Sequence, residues 1–202
     1  MITATIRRTV GLGLLASVLA VAAGCSDTVR EGRSPAYLIV QSLDAAPGAD
    51  DGDFSNQLQS DVATKGSVFE DLGRATFRLG LRDIGPAGSP SAPTLNNFIT
   101  VNRYVVSYRR TDGRKQEGVD VPYSFEGAGT VTVGTADVAM TFVLVRAQAK
   151  LEPPLRNLVG GGQSGGIGTI ADVTFYGRDQ TGNDVSVTGS IAVQFADWAD
   201  PD

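Results

Sequence analysis

Apolar and polar positions alternate with a period of two over most of this chain, the signature of strands with one buried and one wet face. Residues 74–83 place Phe77, Leu79 and Leu81 on one side and Thr76, Arg78 and Arg82 on the other. Residues 185–195 set Val185, Val187, Ile191, Val193 and Phe195 inward against Ser186, Thr188, Ser190 and Gln194. With the strand predicted over 171–176 and the turn at 179–184, they read as an antiparallel hairpin. Residues 98–110 predict one long strand whose apolar phase moves from Ile99 and Val101 to Tyr104, Val106 and Tyr108. A one-residue slip within a strand is a bulge, expected here near Asn102 and Arg103.

Shorter signals fill the rest. Residues 37–40 are an apolar run that predicts a buried strand, and 111–114 hold the turn pair Asp112-Gly113. Residues 119–125 and 130–133 predict short strands. Residues 136–149 carry apolar side chains on both faces, as a central strand does. Only Phe54, Leu58 and Val62 hint at helix, one turn or two. The pattern predicts an all-β domain over 36–202: an antiparallel β-sandwich of roughly seven to nine strands, immunoglobulin-like in architecture but without the cysteine pair of antibody domains.

The N-terminus breaks the pattern. Arg7 and Arg8 precede an almost purely apolar stretch, 10–23, which runs through Ala22, Ala23 and Gly24 into Cys25, the only cysteine. The apolar run of about 15 residues is short of the ~20 that span a bilayer. A basic start, a short apolar core and a small-residue cleavage site make a secretory signal. This one resembles the signal of bacterial lipoproteins, although Ala22 stands where leucine is commonest. The Arg7-Arg8 pair also raises twin-arginine export, with flanks that fit it poorly. The resemblance implies cleavage after residue 24 and a diacylglycerol with further acyl groups such as palmitate on Cys25, a membrane anchor rather than a span. Residues 25–35 would then be the lipidated N-terminus and a flexible tether. Ser26 resembles the outer-membrane class more than the inner. The stretch from Thr174 to Asn183 is similar to segments of bacterial envelope lipoproteins and implies no particular activity.

Composition narrows the chemistry. The chain has 17 Lys and Arg against 22 Asp and Glu, a net charge of −5. An acidic balance argues against nucleic acid as a partner. There is no histidine. Triads with a histidine base and histidine-ligated zinc, copper or haem are therefore not available. With Cys25 acylated no thiol remains.

The candidate sites are few. Gly162-Gln163-Ser164-Gly165-Gly166 matches the nucleophile-elbow pattern, yet without a histidine it reads as a glycine-rich loop. Asp50, Asp51 and Asp53 form a dense acid cluster, which supplies the oxygens calcium wants but lacks EF-hand spacing; the bland reading is a solvated loop. Asp179, Asn183 and Asp184 read as turn residues. Arg103, Arg109, Arg110, Arg114 and Lys115 gather around one hairpin and would suit an anionic partner, or simply keep strand edges apart. The 84–97 connection, with three prolines, is long enough to be functional, with Asn96 and Asn97 at its end as candidate ligand contacts or caps of the next strand. Trp198, near the end of the sequence, is a separate candidate for stacking on a sugar ring or for closing the core.

The sequence thus predicts a non-enzymatic cell-envelope protein, anchored through Cys25 to a membrane, with no cofactor beyond the lipid and an envelope protein or polymer as partner. A carbohydrate-binding module is the alternative, and a hydrolase working through carboxylates alone a third.

Overall fold

The computed structural model describes residues 33–49, 53–161 and 165–198. Among these residues the fold is all-β, in two sheets. Strands β1 (Ala36–Ala46), β3 (Asp71–Leu81) and β6 (Val138–Val145) form the smaller sheet in the order β1-β3-β6. Strands β2 (Gln57–Asp61), β8 (Asp184–Ala196), β7 (Ile167–Asp179), β4 (Ile99–Arg110) and β5 (Phe125–Val133) form the larger, in that order. All pairings are antiparallel except β2 on β8. One short helix, α1 (Ala147–Lys150), follows β6.

Alternation explains the packing. Along β7 the odd positions from Ile167 to Asp179 are buried and the even ones face outward. The inward rings of the two sheets meet: Phe77 of β3 stands edge-on to Phe175 of β7 at 4.8 Å, and Phe142 of β6 to the same ring at 5.3 Å. Tyr104 of β4 lies 5.1 Å from Phe142. Burying this layer is the main drive for the sheets to stack, sandwich-like, at roughly 25 cal/mol per Å² of apolar surface.

The expected bulge is present: β4 shifts register between Val101 and Arg103 against both neighbours. The β7–β8 hairpin matches its predicted alternation, with Ile191, Val193 and Phe195 buried. Four local expectations are corrected. Residues 57–61 are the strand β2, not helix; its docking on β8 turns Leu58 and Ser60 inward together, which a helix would not do. Residues 119–124 are loop, with Val119 exposed, and the strand begins at Phe125. The 37–40 run lies in an edge strand and leaves Tyr37 exposed. β6 pairs only with β3; its second apolar face is covered at its end, where Val145 is buried and Leu155 and Leu158 of the following 3-10 segment join the same core.

Strand directions give the molecule two poles. At one lie the start of β1, the end of β3, the 84–97 connection and the β7–β8 turn. At the other lie the ends of β2, β4, β6 and β8 and the start of β3, tied by Ser60 Oγ donating to Asp71 at 2.6 Å.

Candidate functional site

The β4 bulge shapes the outer face of the larger sheet. The extra residue in β4, Asn102, falls between the pairs Val101–Gly177 and Arg103–Tyr176, and the neighbours of Gly177 leave no room for a side chain: a Cβ there would lie 2.4 Å from the Thr100 carbonyl oxygen. Beside this kink the outward surface dips into an open groove of about 860 Å³. Asn102, Arg103, Ala128, Tyr176, Arg178 and Asp184 line it. The Arg103 guanidinium stacks 4.1 Å above the Tyr176 ring and donates to Glu126 Oε1 at 3.1 Å. Arg178 donates to Asp184 at 2.6 Å. The groove thus combines an aromatic–guanidinium stack, two ion pairs and small residues. It can hold a polar, hydroxyl-bearing ligand by stacking and hydrogen bonds. Sequence reading misses it because Tyr176 reads only as the end of a strand. The signal was its even, outward position in the β7 alternation.

The predicted cationic hairpin is divided among its own acids. Arg109 donates to Asp172 at 2.9 Å, and Arg114 to Asp112 at 2.8 Å and Asp120 at 3.4 Å. Arg110 Nε lies 3.5 Å from Asp112. Hydrogen bonds from Arg114 hold the Asp112 carboxyl below its usual range. Lys115 is exposed.

The proposed loop contacts do not meet. Asn97 caps the 3-10 turn Leu95–Asn97, its Oδ1 accepting from Thr94 N at 2.8 Å. Asn96 is exposed beside it. Trp198 follows β8 at the opposite pole, where its N–H donates to Asp61. The length of the 13-residue strand β8, about 40 Å, separates them.

Asp53 is exposed, and Cys25, Asp50 and Asp51 lie outside the described residues, as do 162–164 of the glycine run. Among the described residues no three acids or other metal ligands stand together. Asp179 is committed to its turn, accepting from the N–H groups of Thr181 and Asn183 at 2.9 Å each. Burial works to raise its carboxyl, but bonds from Asn183 and Thr181 outweigh it and hold it down at about 2.

One buried polar cluster was not foreseen. Lys150 Nζ donates to Asp71 Oδ1 at 2.9 Å, with 2% and 1% of the two side chains exposed. Ser60 and the Gly48 N–H complete the carboxylate's shell. Burial pushes the Asp71 carboxyl up, against the pull of Lys150. The positions are far apart in sequence and carry no motif. With lysine and carboxylate paired to each other, the cluster is built as a strut joining β2, β3 and α1.

Comparison with protein families, with curated proteins and with solved structures finds no match.

Proposed function

We propose that this protein is a lipid-anchored envelope module with an immunoglobulin-like β-sandwich, which binds another envelope component and catalyses no reaction. The observation that carries it is the N-terminal pattern, a short apolar run closing on the chain's one cysteine at Cys25. The described domain supports it by what its polar groups do: the arginines of the outer face are neutralised by partners, and Asp71 and Asp179 are consumed by structure. The anchor is on the outer membrane in this reading. Intact mass of the protein from its native membranes, beside a Cys25→Ala form, tests it. A diacyl or triacyl increment on Cys25 is the expected result; an unmodified mass in the soluble fraction overturns it.

The groove at Tyr176 favours one second reading, a carbohydrate or surface-polymer site. There the Tyr176→Ala protein, still folded, loses signal on a glycan array that the parent protein gives. No signal from the folded parent sets this reading aside.

A further inference from the structure

We propose that the 84–97 connection is a membrane-contact loop, seating Ile84 and Leu95 in the headgroup region of the bilayer that holds the anchor. The proposal rests on the lipid anchor at Cys25. Among the described residues these two are the most exposed large hydrophobic side chains, at 70% and 73%. They sit on a segment, 84–98, without a single charged residue, in a chain where 19% are charged. Pro86, Pro90 and Pro93 restrict it, and bonds from Ser91 N to Ile84 O and from Asn97 N to Thr94 O hold it in shape. Little ordering would thus be lost on contact.

What points this loop at a lipid surface is where the chain arrives. Arg82 N donates to Pro35 O at 2.9 Å and Arg82 Nε to Ser34 O at 3.0 Å. The root of the loop is therefore pinned to the first residues of the domain. Nine residues of chain from Cys25 to Ser34 can reach at most roughly 30 Å. That reach brings this pole within range of the bilayer, the other pole lying a sheet's length further along the strands. The surroundings suit an interface. Tyr37 is exposed with Arg82 5.8 Å above its ring. Tyrosine is among the aromatic side chains that sit at headgroup level, and arginine reaches it with its charged head. Asp83, the nearest acid in sequence, is turned to the Gly85 N–H at 2.9 Å.

The test uses the full lipidated chain in phosphatidylcholine vesicles carrying a doxyl quencher near the headgroups. In a Trp198→Phe background, one tryptophan is introduced by Leu95→Trp, by Ile84→Trp, or by Val119→Trp at the far pole. Intact mass is taken on each sample. Quenching of the Leu95→Trp and Ile84→Trp emission at least about twofold above that of Val119→Trp is expected for side chains 5–10 Å into the interface. Lipidated protein in which all three positions are quenched alike overturns the loop proposal alone. An unmodified mass overturns the anchor and the loop proposal with it.

Discussion

Gly177 shows how much can hang on one missing side chain. Its partner strand carries the bulge, so the Thr100 carbonyl leans into the space a Cβ would fill. Gly177→Ala is expected to lower stability by about 1–3 kcal/mol, read as a shift of the urea midpoint. A substitution without effect there would mean that β4 and β7 can separate locally. The buried Lys150–Asp71 pair makes a second test. Lys150→Met strands a carboxylate away from water and is expected to cost about 3–5 kcal/mol. The double variant Asp71→Asn, Lys150→Met removes both charges and keeps an acceptor for the Gly48 N–H, so it is expected to be more stable than the single one. If the single and double variants unfold at the same urea concentration, the strut is not electrostatic.

Elements show which local signals carried long-range meaning. In β2 Leu58 is buried, whereas Phe54, just before the strand, is only half-buried under Arg74. Leu58→Ala is expected to cost about 2–5 kcal/mol by thermal or urea melts, and Phe54→Ala clearly less. The β7–β8 turn gives a pH signature. Asp179 titrates at about 2 in the fold against a usual 3.8, so its stabilisation, about 2 kcal/mol, is complete above pH 4 and lost as pH falls through 2. Asp179→Asn is expected to flatten the acid limb of the stability curve by that amount. A limb unchanged by the substitution would assign acid sensitivity elsewhere.

The elements also mark how far the sequence could be read. Strands with one wet face were legible, because alternation needs only local residues; so was the bulge, because a slipped phase is visible within one strand. β2 was not. Phe54, Leu58 and Val62 share a spacing of four that fits a helix, and only contact with β8 shows that Ser60 belongs inside. The same holds for the groove, which needs Arg103, Tyr176 and Asp184 from three strands at once.

At the scale of the whole molecule the two ends of the domain differ in character. One carries the chain's arrival point and an uncharged, proline-stiffened connection. The other carries the exposed Val119 and Trp198, beside the β2–β3–α1 strut. The groove lies between them, on the flank of the larger sheet and toward the arrival pole, since Arg178 and Asp184 sit beside the β7–β8 turn. A partner reading the groove would approach from the side, and one reading the far end would approach along the strands.

The parallel pairing of β2 has a consequence for how the molecule is made. Its hydrogen-bonding partner, residues 192–196, is made long after it, and Asp61 awaits a donor 137 residues further on. A growing chain can pair β1 with β3, but it cannot seat β2 in the larger sheet until β8 has been made. Contacts this distant in sequence form slowly, in milliseconds to seconds. β2 therefore stays unpaired while β3 to β7 are made, and the larger sheet gains this edge strand only once β8 has arrived.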